Sequence, residues 1–134
     1  MKRSIVFLFC ILFYGCIKQS KIPISNTLEI GLGDRYNEYI NVLNRAYDGD
    51  SIALGEFLKI DHISDGAGYD HGYVLLQLIK VQGDEKFAET LEKMDDKTVQ
   101  TVCQYVEVGV DSNDKDRDDL KVNYPKVVAI LKFK

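Results

Sequence analysis

One stretch of this 134-residue chain constrains its fold more than any other: Tyr69–Val81, Tyr-Asp-His-Gly-Tyr-Val-Leu-Leu-Gln-Leu-Ile-Lys-Val. Wound as a helix, it carries apolar side chains around nearly its whole circumference from Tyr73 onward, and only Gln77 and Lys80 interrupt. A helix that is apolar all round must be covered by neighbours. The chain should therefore build a central helix with other elements packed on every side of it.

The flanking sequence supplies those elements. Asn26 followed by Glu29 is a helix-start signal, although Gly31 and Gly33 weaken that turn and make Asp34 an alternative start. Leu32, Tyr36, Tyr39, Leu43 and Ala46 then recur at helical spacing up to Asp48-Gly49. Asp50 is placed to cap a second helix bearing Leu54, Phe57 and Leu58, and the polar segment 61–68 ends it. After the central helix stops at Gln82-Gly83, Asp84 is placed to cap a fourth, with Phe87, Ala88 and Leu91 on one face. Asp95-Asp96 opens a fifth carrying Val99, Val102, Cys103, Val106 and Val110, whose last residues, 106–110, also alternate as a strand would. Segment 111–119, with five Asp residues, reads as a loop. Pro125 suits the first turn of a last helix, over Val127, Val128, Ile130 and Leu131. The expected fold is an all-α single small domain of five or six helices.

An internal echo sharpens this to stacked helical hairpins, as a short repeat-like array or a bundle. Gly49-Asp50 through Asp61 matches Gly83-Asp84 through Asp95 at an offset of 34 residues, and Tyr39 aligns with Tyr73. The period is similar to that of tetratricopeptide and Sel1-like repeats, but their Trp, Leu-Gly and Pro signature is absent.

Residues 1–15 stand apart. Met1-Lys2-Arg3 is a basic start, and the apolar run Ser4–Phe13 is too short for a permanent bilayer span of about 20 residues. Gly15 then precedes Cys16. This pattern, ending in Phe13-Tyr14-Gly15-Cys16, resembles bacterial lipoprotein signal peptides. The resemblance implies that Cys16 is lipidated and becomes the first residue of the mature chain. It places the protein in the bacterial cell envelope, membrane-anchored, on the periplasmic side in a Gram-negative host. Residues 16–26 then read as lipidated Cys and tether, and 27–134 as the helical domain.

Removing Lys2 and Arg3 from the 17 basic residues leaves 15 against 21 acidic ones. An acidic surface without a basic stripe argues against nucleic acid as a partner. With Cys10 removed and Cys16 lipidated, Cys103 has no disulfide partner. Its valine neighbours suit a small buried hydrophobe better than a catalytic thiol.

Chemistry has one dense candidate: Asp61, His62, Asp65, Asp70 and His71, which include both histidines of the chain. Imidazole and carboxylate suit a transition metal or acid–base work. Against this, the spacing follows no metal motif, and adjacent Asp70 and His71 point about 100° apart on a helix. Helix capping by Ser64 or Asp65 is the plainer expectation. Asp114, Asp116 and Asp118 resemble a calcium loop in part, but Asp119 and Pro125 stand where it needs Gly and Glu. Tyr36, Tyr39, Tyr69 and Tyr73 are candidate interface residues lining a groove between the first and central helices.

Gly68 and Gly72 share a helical face, which suits close approach of a neighbouring helix. No catalytic constellation, cofactor motif or metal set is expected. The functional expectation is a non-catalytic protein–protein interaction module with an envelope protein partner. The alternatives are an immunity protein neutralising an envelope-acting toxin, and a metal-binding or hydrolytic protein using His62 and His71.

Overall fold

A computed structural model describes residues 19–111 and 113–133, and every regular element among them is helical. The helices are α1 (Asn26–Leu32), α2 (Tyr36–Tyr47), α3 (Ser51–Leu58), α4 (Asp65–Gln82), α5 (Asp84–Leu91), α6 (Asp96–Val110), α7 (Asp114–Asn123) and α8 (Pro125–Leu131). A 3-10 turn, Gly33–Arg35, joins α1 to α2. The signal segment and Cys16 lie outside the described residues.

Two local causes raise the number of helices above five or six. Gly33 at φ 52° cannot continue a right-handed helix, so the first amphipathic stretch splits into α1 and α2. Further on, the acidic segment is helical rather than a loop. Asn113 caps α7 by accepting from the Lys115 N–H, and Asp114 and Asp116 lie in its first turn, where the helix dipole favours negative charge. Lys80 of α4 then holds Asp116 at 2.8 Å and Asp119 at 3.4 Å. The carboxylates that resembled a calcium loop, Asp114, Asp116 and Asp118, are thus spread along a helix, with Asp116 on the Lys80 ammonium.

Packing is in helix pairs: α2 with α3, α4 with α6, and α5 with α8. Of the two units in the 34-residue echo, the first closes as the α2–α3 hairpin, whereas α5 docks mainly on α8. The two Gly-Asp turns diverge accordingly. Asp50 caps its own helix, accepting from the Ile52 and Ala53 N–H groups at 2.9 and 3.0 Å. Asp84 does not cap the helix it begins, whose N-cap is Gly83. Its carboxylate reaches across to accept from Lys126 N–H at 3.1 Å and Val127 N–H at 2.9 Å, so it caps α8. The side chain of Pro125 occupies the first helical position there, where a missing N–H costs nothing.

The central helix is α4, and Val74, Leu75, Leu76, Leu78 and Ile79 are buried in the core. Its partner α6 crosses it at Gly72 and Gly109. A Cβ at Gly72 would lie 1.9 Å from the Tyr105 carbonyl oxygen, and one at Gly109 2.4 Å from the Gly72 carbonyl carbon. The backbones touch, which is what glycine at both positions permits. Helix α6 runs unbroken to Val110, burying Val102, Val106 and Val110 at a spacing of four, so residues 106–110 are helix and not strand.

Cover around α4 is not complete. Tyr69, Tyr73 and Val81 are exposed, and Gln77 between them is half-buried, so one stripe at four-residue spacing faces solvent. Tyrosine tolerates such an edge because its body packs while its hydroxyl stays hydrated.

The tether is shorter than expected. Ile22 is buried, the Lys21 N–H donates to the Asn44 side chain at 2.9 Å, and Asn44 Nδ2 donates to the Gln19 carbonyl at 3.0 Å. Lys21 also pairs with Asp48. Residues 19–25 therefore belong to the folded domain, tied to the end of α2 through Gln19 and Lys21 and to α4 through Ser25. No helix among the described residues is long and apolar enough to cross a membrane.

Candidate functional site

The polar cluster before α4 is pulled apart by the start of that helix. Its residues face different ways because each step along a helix turns about 100°. His71 points inward and is 1% exposed. Its Nδ1 is hydrogen-bonded to the Tyr39 hydroxyl at 2.8 Å. The rings of Tyr39, Phe57 and Tyr105 surround it, with centroids 5.7, 5.3 and 4.7 Å away. Burial, with the charge of His62 adding, pushes the His71 pKa down to about 3. The imidazole is neutral at physiological pH and a weak base, far from the near-neutral value that proton transfer needs. Burial, with Tyr105 adding, pushes the Tyr39 hydroxyl up, so it stays protonated.

The other four members lie elsewhere. His62 is exposed and lines a cleft of about 320 Å3 whose floor is Leu32, Tyr39, Val42 and Ile60 and whose rim carries Arg35, Glu38 and Glu56. Asp61 faces Lys97 at 3.6 Å. Asp70 accepts from the Ser25 hydroxyl, whose oxygen in turn caps α1 through the Leu28 N–H. Asp65 is exposed and takes φ 54° at the first position of α4. Neither expected cap operates: Ser64 occupies the N-cap position without a side-chain hydrogen bond, and Asp65 sits inside the helix. Among the described residues, no three His, Cys, Asp or Glu side chains come together in a metal-holding group.

The tyrosines divide as well. Tyr39 is buried, so it offers no surface to a partner, and Tyr36 is half-buried against the core. The reason is that α2 turns its tyrosine face toward α4 and His71. Tyr69 and Tyr73, 53% and 44% exposed, lie one turn apart on the open stripe of α4. Beside Tyr69 is a shallow apolar depression formed with Ile63, Gly68, Tyr105 and Val108.

Tyr105 was not singled out by sequence, yet it holds this region together. Its hydroxyl donates to the Ile63 carbonyl at 2.7 Å and accepts from the Ile63 N–H at 3.1 Å, which fixes the loop before α4. The one available signal was Gly109, a glycine in a valine-rich helix four residues after Tyr105.

Cys103 is half-buried in a wider groove between α6 and the end of α8, beside Met94, Val99 and Ile130. Burial, with Glu107 adding, pushes its thiol up, away from the reactive thiolate.

No family model, curated protein or solved structure matches this chain. The site offers a sealed, neutral inner face at His71 and an exposed aromatic outer face at Tyr69 and Tyr73.

Proposed function

We propose that this chain is a lipid-anchored envelope protein that binds another protein, without catalysis, through the outer face of α4. One observation carries the reading: Tyr69 and Tyr73 stand exposed, one turn apart, on the long central helix whose other side is buried in the core. Exposed tyrosines set on a rigid element lose little conformational freedom on binding and are favoured interface anchors. The anchor half of the proposal rests on the lipoprotein-like Phe13-Tyr14-Gly15-Cys16 sequence. An immunity role is the same binding function with a toxin as partner. A metal or hydrolytic centre on His62 and His71 would require His71 to leave the core and its bond to Tyr39.

The test is a photo-crosslinking amino acid placed at Tyr69 or Tyr73 in the native host, with Ile30 as a control site. A discrete adduct with one envelope protein is expected from positions 69 and 73 and not from 30. Equal adducts from all three positions, or none from 69 and 73, would reject the α4 face.

A further inference from the structure

We propose that the protein lies on its membrane in a defined orientation, with the α2–α3 turn against the lipid headgroups and Ile52 inserted among them. The proposal rests on the lipid-anchor reading of Cys16 and adds to it a surface and a partner, the bilayer itself.

Only Ile17 and Lys18 separate Cys16 from Gln19, and three Cα steps span at most about 11 Å. Gln19 is already tied to the fold through Asn44, and Lys21 through Asn44 and Asp48. A lipid on Cys16 therefore cannot let the domain float free. It keeps Gln19, and with it the C-terminal end of α2, within about 11 Å of Cys16, the same order as the roughly 5–8 Å depth of one headgroup layer.

That end of the molecule is built for such a place. Ile52, in the first turn of α3 just beyond the turn, is 73% exposed. Tyr47 lies half-buried beneath the Lys21 ammonium, 5.7 Å from its ring centroid, and tyrosine is favoured at headgroup depth. The nearby charges include two ion pairs, Lys21 with Asp48 and Arg45 with Asp50, and the Lys86 ammonium, which donates to the Gly49 carbonyl in the turn and can face lipid phosphate.

The orientation also accounts for where the tyrosines are. Gln82 donates to the Ala46 and Tyr47 carbonyls, while Tyr39 meets His71, so α4 runs alongside α2 in the same sense. Thirteen residues at 1.5 Å each put Tyr69 about 20 Å from Gln82 along the helix. The aromatic face is thus held away from the lipid, where a partner can reach it.

The test uses the full chain, processed in its host and reconstituted into phosphatidylethanolamine–phosphatidylglycerol vesicles, with Cys103→Ser to leave one labelling site. A bimane probe is placed at Ile52→Cys and, separately, at Ile30→Cys on α1, near the far half of α4. Both positions are exposed, and circular dichroism verifies that each variant is folded. The expected result is blue-shifted emission at 52, quenched by nitroxide lipid and shielded from iodide, with the reverse at 30. Mass spectrometry of the N-terminus and vesicle flotation are read on the same samples. A lipid-modified, floating protein whose probe at 52 is as open to iodide as that at 30 overturns the orientation and leaves the anchor standing. An unmodified Cys16 overturns both.

Discussion

Gly72→Ala separates two opposed effects at the centre of this fold. By helix propensity alone, alanine should stabilise α4 by about 1 kcal/mol over glycine. The crossing with α6 predicts the opposite. The new Cβ would lie 1.9 Å from the Tyr105 carbonyl oxygen and 2.9 Å from its carbonyl carbon. Both are backbone atoms, so no side chain can swing aside. Restoring even 3.0 Å means parting the helices by more than 1 Å along their largest mutual interface. A gap of that size forfeits a quarter to a half of the dispersion energy of the contacts it opens, and overpacking of this kind costs about 1–3 kcal/mol or more. Setting about 3 kcal/mol of steric cost against the propensity gain of about 1 leaves a net loss near 2 kcal/mol. The control is Gly55→Ala, also inside a helix, where the nearest atom is the flexible Met94 Cε at 3.4 Å. It should gain up to about 1 kcal/mol. Urea unfolding followed by circular dichroism measures both. If Gly72→Ala proves as stable as the parent, or follows Gly55→Ala upward, close approach is not the reason for that glycine.

Two further predictions concern stability. His71 has its folded pKa depressed from 6.5 to about 3, so the unfolded chain binds this proton first as pH falls. The stabilisation is complete above pH 6.5 and is lost progressively between 6.5 and about 3, with a limiting slope near 1.4 kcal/mol per pH unit. The double variant Tyr39→Phe/His71→Leu, which leaves no hydroxyl unpaired, should flatten that limb of the urea-derived stability profile; an unchanged slope would assign it to the carboxylates instead. Asp84→Ala should cost about 1 kcal/mol and speed amide hydrogen exchange at Lys126 and Val127 on α8. If the faster exchange is confined to α5, the cross-helix cap is not acting.

Local signals in the sequence carried far into the structure wherever one short stretch decided the outcome. Asp50 and Asp95 cap the helices they precede, Pro125 opens α8, and Gly72 marks a helix crossing. Signals that depend on what lies opposite were not legible. Asp84 has the same local context as Asp50, yet α8 lies within its reach and takes its carboxylate. Asp116 and Asp119 read as loop residues until Lys80, more than thirty positions earlier, is seen to neutralise them. Ile22 reads as tether, and only the tying of its neighbours to α2 and α4 buries it.

The Asp-His cluster follows the same division. Its composition suggested chemistry, and helical geometry already placed Asp70 and His71 on different faces. Which face was inside depended on the partners: Tyr39, Phe57 and Tyr105 come from α2, α3 and α6, and together they enclose His71.

By itself, the sequence determined that the chain is all-helical and that Tyr69–Val81 lies in its central helix. Periodicity is a property of neighbouring residues, and so it survives without a structure. Only the tertiary arrangement decided that α4 is left open along Tyr69, Tyr73, Gln77 and Val81. An apolar circumference states how much surface needs cover. How closely α6 can approach, through Gly72 and Gly109, decides which part of that surface is left to solvent.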